Sequence, residues 1–288
     1  MRRHPLLFYF FIAYAGTWIL LIPSILSTWG FIKGDFTLTQ ILSIFTGPFL
    51  AGILMTRITE GPAGILSLRQ RIKQWRFGWQ WYLMILVGIP ALILLGVILQ
   101  PAALASFQGL SANILVNYPV NFVLVFFAVG MPEEIGWRGF ALPRMQARFG
   151  PLRSTLLLGV LWVFWHLPRF LLPEHGGGPG TGWTNFLTNF SYFFLMVMAL
   201  AIIFTWIFNH TQGSIFAAML AHAAIDTPQL VWIPLFLALD EAKMNLATLI
   251  AFGVPALLIL ILTCGRLGYQ PGQQKPERPG EVKAQPIL

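Results

Sequence analysis

Cysteine is almost absent. Cys264 stands alone among 288 residues, which excludes an internal disulfide and any metal site built from cysteines. Charge is nearly as scarce: Asp, Glu, Lys and Arg make up 10% of the chain, where a soluble domain carries about a quarter. That shortage excludes a surface that faces water on all sides. Acidic residues are fewest, 10 against 18 basic ones, for a net charge of +8. Such a balance can serve nucleic acid, but here the basic residues fall in loops between apolar runs rather than in one patch. In a membrane protein that pattern sets orientation and attraction to anionic lipid, so no nucleic-acid partner is expected. No internal repeat is visible, which counts against an inverted-repeat transporter.

What remains is 57% hydrophobic, and it falls into runs of spanning length. A transmembrane helix needs roughly 20 apolar residues. Candidate spans lie near Leu6–Leu26, Leu38–Met55, Trp79–Leu99, Tyr118–Gly130 continuing past Pro132, Ser154–Leu172, Phe186–Phe208, Ser214–Leu239 and Leu246–Cys264. The first run is too long for the apolar part of a signal peptide and has no convincing cleavage site, so it reads as an uncleaved span. The expected fold is all-α, a polytopic membrane protein of about eight transmembrane helices. Residues 1–267 would form one helical domain, and 268–288, rich in Pro, Gln, Lys and Glu, a disordered tail.

Charge placement tests that count. With alternating spans and a cytoplasmic N-terminus, fifteen of the eighteen basic residues fall on the cytoplasmic side. Only Lys33, Arg169 and Lys243 do not. Both termini are therefore expected in the cytoplasm, with the protein a multi-pass component of the cell membrane. The segment Gly61–Trp81 places Ile65, Leu68, Ile72 and Trp75 at a spacing of three to four among basic residues. It is expected to be a helix lying in the membrane interface. His175, in "EHGGGPGTG", reads as a solvated loop residue, and His210, in "NHTQGS", as a cap or turn residue.

An ionisable group inside a span is costly and functional by default. Here the set is Glu133, Glu134, Arg138, His166, His222 and Asp226, in "MPEEIGWR", "LWVFWHLP" and "MLAHAAID". At 1.5 Å per residue, Glu133, His166 and His222 lie roughly 22, 18 and 12 Å into their spans, so one shared site is the economical arrangement. Glu134 and Arg138 are four apart and can form an ion pair on one helical face. Glu133 points about 100° away from them. His222 and Asp226 are also four apart. A glutamate in a partly dry pocket can act as general base toward water, with a histidine orienting that water. A second histidine, with an oxygen from Asp226, can stabilise an oxyanion. The same Glu133, His166 and His222 could instead hold zinc with an open position. The spacing gives that metal reading no support, because the HExxH helix motif is missing.

These three segments, in this order, resemble the CAAX protease and bacteriocin-processing family of intramembrane glutamate or metallo-endopeptidases. Its best-known members are CAAX prenyl endopeptidases such as the Ras-converting enzyme. The family motifs EExxxR, FxxxH and HxxxN/D match Glu133-Glu134-xxx-Arg138, Trp162-xxx-His166 and His222-xxx-Asp226. Trp162 replaces the phenylalanine, and the third motif takes its aspartate form. The stretch "RFGWQWY" before the third span is also similar to the family.

The resemblance implies a protease that hydrolyses a peptide bond in a membrane-anchored protein or peptide near the cytoplasmic face. Glu133 would activate water together with His166, and His222 and Asp226 would form the oxyanion side. Glu134, Arg138 and Trp162 would support them, Trp162 packing beside the histidine. Aspartate at 226 leaves two roles open, since a carboxylate must be protonated to donate to an oxyanion and can otherwise orient His222. Two other classes stay open. One is a non-catalytic immunity or scaffold protein, and the other a proton-coupled transporter whose carboxylates and histidines relay protons.

Overall fold

The computed structural model describes residues 1–110, 112–239 and 241–271. Each expected span becomes a helical rod: α1 Pro5–Thr28, α2 Thr37–Ile72, α3 Trp79–Ile98, α4 Ile114–Phe149, α5 Pro151–Leu171 and α6 Trp183–His210. The last two are α7 Ile215–Val231 and α8 Glu241–Leu262. Seven of the eight are long and apolar enough to cross a membrane, so the chain is an all-α polytopic membrane protein. Large apolar side chains such as Leu7, Phe11, Leu115 and Leu262 remain exposed on the rods, as surfaces facing lipid require. From residue 272 onward, the expected disordered tail lies outside the described residues.

The exception among the spans is α7. The expected run of Ser214–Leu239 breaks after 17 helical residues, and the chain continues into a short 3-10 turn at Ile233–Leu235. Seventeen residues rise about 26 Å, short of the roughly 30 Å of a hydrocarbon core. The reason is position: nearly every residue from Ile215 to Pro228 is buried. A helix walled in by other helices has no lipid thickness to match. Its many alanines (Ala217, Ala218, Ala221, Ala223 and Ala224) let neighbouring backbones approach closely. Gly130 does the same from α4. A Cβ there would stand 3.0 Å from the Met219 carbonyl oxygen and 3.3 Å from His222 Cβ. The two helices therefore touch where the site residues have to meet.

The expected interfacial helix is the second half of α2. Gly61, at φ +67° and followed by Pro62, bends the rod, and the basic segment beyond it turns back under the bundle. One of its cations is no surface anchor. Arg71 donates to the carbonyl oxygens of Gly213 (3.1 Å), Gly139 (3.1 Å) and Arg138 (2.8 Å). Nearby, Ser214 caps α7 by accepting from the Ala217 N–H at 3.0 Å and donates to the Gln74 carbonyl at 2.6 Å. These contacts pin the start of α7 against α4, and so set where His222 stands, about 12 Å further along the helix. Arg71→Ala strands three carbonyls and is expected to cost about 3 kcal/mol. Thermal unfolding in detergent should show the loss, with Arg71→Lys recovering only part; an unchanged midpoint for Arg71→Ala would remove the clamp from the account.

Behind the site, α1 braces α5. Trp18 Nε1 donates to the Trp165 carbonyl at 3.0 Å, Trp165 Nε1 to the Ala13 carbonyl at 3.3 Å, and the Tyr14 hydroxyl to the Leu161 carbonyl. These bonds engage Leu161 and Trp165, so the helical turn that carries the second motif is held against α1.

Candidate active site

The two carboxylates occupy one short α-helical segment of α4, Met131–Gly136, set between π-helical turns at Phe126–Gly130 and Trp137–Ala141. Single π turns inside long helices commonly mark functional sites. Pro132 enters the segment at its first turn, where its missing N–H costs little. Burial is complete: Glu133, Glu134 and Arg138 are 1%, 0% and 1% exposed.

The tasks of the two carboxylates separate as their spacing predicts, with one addition. Glu134 Oε1 accepts from Arg138 Nη1 at 2.9 Å and also from His222 Nδ1 at 2.8 Å. Glu134 thus joins the first and third motifs instead of serving Arg138 alone. The Arg138 guanidinium lies between two aromatic faces, 4.6 Å from the centroid of Trp162 and 4.3 Å from that of Phe204. Glu133 turns away from this pair. Its Oε2 accepts from the Trp162 indole N–H at 2.8 Å, while Oε1 holds no hydrogen bond within the described residues.

Hydrogen bonding assigns the histidine tautomers. His166 Nδ1 lies 2.9 Å from the Trp162 carbonyl oxygen, which can only accept. Nδ1 must carry the proton, leaving a lone pair on Nε2 when the ring is neutral. His222 is held at both nitrogens, by Glu134 at Nδ1 and by Asp226 Oδ2 at Nε2, the latter at 3.4 Å. Asp226 is the least buried of the set, with its side chain 33% exposed.

All these groups converge. Glu133, Trp162, His166, Arg169, His222 and Asp226 line one cavity of about 410 Å³, a size suited to a small ligand or short peptide segment. His175, read from the sequence as a solvated loop residue, is half-buried in the same wall, because the chain folds back over the cavity after α5. His210 ends α6, with Nδ1 on the Trp206 carbonyl at 2.9 Å, as a helix-terminal residue should.

Trp162, Arg71 and Arg169 carry more than the sequence signalled. Trp162 was legible only as a packing aromatic, yet its N–H is a donor that phenylalanine lacks. Arg71 was legible as one of the basic residues of an interfacial helix, and Arg169 only as a basic residue away from the cytoplasmic side.

A catalytic zinc site takes three protein donors and keeps a fourth position open. Among the described residues no group of three or more His, Cys, Asp or Glu is placed to hold a metal ion. The donor chemistry agrees: His222 has both nitrogens engaged and Glu133 one oxygen. His166 Nε2 and Glu133 Oε1 are what remain. As arranged, the set does not fit zinc.

Comparison with known proteins finds a similarity over the segment that carries the site. Residues 115–228 match the model of the type II CAAX prenyl endopeptidase Rce1-like family. The chain is also 28% identical over 178 residues to the CAAX prenyl protease 2 of Methanococcus maripaludis, over 60% of this chain. The match spans 62% of that relative's length. The matched segment contains Glu133, Trp162, His166, His222 and Asp226, all lining one cavity, and over it the chain is similar to the Rce1-like CAAX prenyl endopeptidase family.

Proposed function

We propose that the protein is an intramembrane endopeptidase that hydrolyses a peptide bond in a membrane-anchored protein or peptide, with Glu133 as general base. The observation that carries this reading is the division of labour at Glu133. One oxygen is tied to an indole N–H at 2.8 Å, and the other is left toward a cavity shared with the lone pair of His166. A water between Glu133 Oε1 and His166 Nε2 would be gripped by two acceptors and aimed by both.

Glu133 takes one proton of that water as its oxygen attacks the carbonyl carbon. The His222 Nε2–H, which otherwise makes only the long contact to Asp226, turns to the developing oxyanion. Glu133 then passes its proton to the leaving amine as the C–N bond breaks. In this scheme Asp226 orients His222 rather than donating to the oxyanion. Glu134 holds the opposite edge of the ring and is neutralised by Arg138. No metal is needed at any step. The orientation we favour puts both termini in the cytoplasm, on the distribution of basic residues.

Purified protein in lipid nanodiscs is expected to cleave a lipid-anchored peptide and to keep its activity after thorough chelation. Activity lost on chelation and restored by zinc would replace the glutamate mechanism with a metal one. Failure to cleave, together with substrate flux in proteoliposomes, would favour a transporter.

A further inference from the structure

The basic segment beyond the Gly61 bend has two faces, and the clamp on α7 uses only one of them. Toward the bundle, Arg71 holds its three carbonyls, and Gln74 Nε2 donates to the Thr211 carbonyl at 3.1 Å. On the other face Arg69, Lys73 and Arg76 are exposed, and none of the three has an acidic partner within the described residues. The sequence supplies none close by. Between Glu60 and Glu133 it contains no Asp or Glu, and Glu60 is paired with Arg144. Two tryptophans flank the cations, Trp75 at 56% and Trp79 at 74% exposed. The Arg76 guanidinium carbon lies 5.2 Å from the centroid of Trp75. Phe77 and Tyr82 stack with centroids 4.4 Å apart, which fixes this turn to the start of α3.

Tryptophan rings favour the headgroup level of a bilayer, and unpaired cations beside them attract anionic lipid within a Debye length of the surface. Open water would give the two rings nothing to bury against, and in hydrocarbon three charges would be costly. We propose that Arg69, Lys73 and Arg76, with Trp75 and Trp79, form a docking surface for anionic phospholipid headgroups, and that lipid held there steadies the start of α7. The coupling is short. Arg69 and Lys73 stand two residues to either side of Arg71, and Gln74 follows directly. Restraint of the outer face therefore restrains the groups that grip Thr211, Gly213 and Ser214. Ser214 caps the helix that carries His222 and Asp226. Anionic lipid is thus expected to act on the site from the membrane surface, without entering its cavity.

Amide hydrogen exchange on the parent protein tests this without reference to turnover, so the outcome does not depend on whether the protein cleaves peptides. Nanodiscs of phosphatidylcholine alone are compared with nanodiscs of phosphatidylcholine mixed with phosphatidylglycerol. Exchange over residues 69–77 and 211–217 is expected to be about 10-fold slower in the anionic discs, since each cation near an anionic surface adds to the attraction. The difference should shrink in high salt. Replacing all three cations together, Arg69→Gln, Lys73→Gln and Arg76→Gln, should erase it, and Arg69→Lys with Arg76→Lys should keep it. Equal exchange in the two discs overturns the proposal, as does a difference that survives the triple substitution. Slower exchange over 69–77 with 211–217 unchanged overturns the coupling to α7. Equal protection by free glycerol phosphate in the phosphatidylcholine discs would make this a site for soluble anions and overturn the lipid assignment. Because the two lipid mixtures are compared on the parent protein, the result stands even if the triple variant folds poorly.

Discussion

Glu133→Gln is expected to lower kcat about 1,000-fold, within the range that positioned general acid–base groups contribute, while the fold stays intact. The substitution preserves shape and leaves an amide oxygen that can still accept from the Trp162 indole N–H. What it removes is the ability to take a proton from water. Glu133 also makes no ion pair within the described residues, so its neutral replacement strands no charge. Cleavage of a lipid-anchored peptide and thermal unfolding, measured on the same preparation, separate the two effects. Trp162→Phe should fall between parent and Glu133→Gln, at about a 10-fold loss in kcat with KM little changed, since one hydrogen bond to a charged group is worth about 1.5–3 kcal/mol. Full activity in Glu133→Gln would sink the assignment of the base, and with it the reading of the cavity as a water-activating site.

The largest effect on stability belongs to the neighbouring pair. Removing one partner of a buried ion pair typically costs about 3–5 kcal/mol, because the other charge is left uncompensated. Arg138→Met would leave the Glu134 carboxylate fully buried, with His222 as its remaining partner. It would also remove the cation between the Trp162 and Phe204 rings. Glu134→Gln would leave Arg138 charged between those rings and weaken the hold on His222, so it should lower both the unfolding midpoint and the activity. The double substitution, Glu134→Gln with Arg138→Met, should cost clearly less than the sum of the two singles, as coupled residues do. A double-mutant cycle on unfolding in detergent measures that difference. Strict additivity would mean that the 2.9 Å contact contributes nothing to the fold.

Much of the site was legible before any coordinates, because helical periodicity is a local property. Residues four apart share a face, which suffices to pair Glu134 with Arg138 and His222 with Asp226, and to turn Glu133 elsewhere. The contact of Glu134 with His222 is different in kind. It joins residues 88 positions apart and depends on Gly130 letting α7 lie against α4. The Trp162 indole bond to Glu133 likewise crosses from α5 to α4, and nothing in the spacing of either helix specifies it. Arg71 shows the same limit from the other side. Its sequence neighbourhood is that of an interfacial helix, but a bend at Gly61 delivers it to three carbonyls in the interior.

By itself the sequence determined the class of protein, the number of helical rods and the three segments that carry ionisable groups. Hydrophobic runs, charge scarcity and i to i+4 spacing are written along the chain and need no partner to be read. Only the tertiary structure decided that α7 is a short, enclosed helix rather than a full span, that Glu134 bridges two motifs, and that a tryptophan holds Glu133. Each of those outcomes rests on how closely one helix approaches another, a distance set by small residues and close packing between segments remote in sequence.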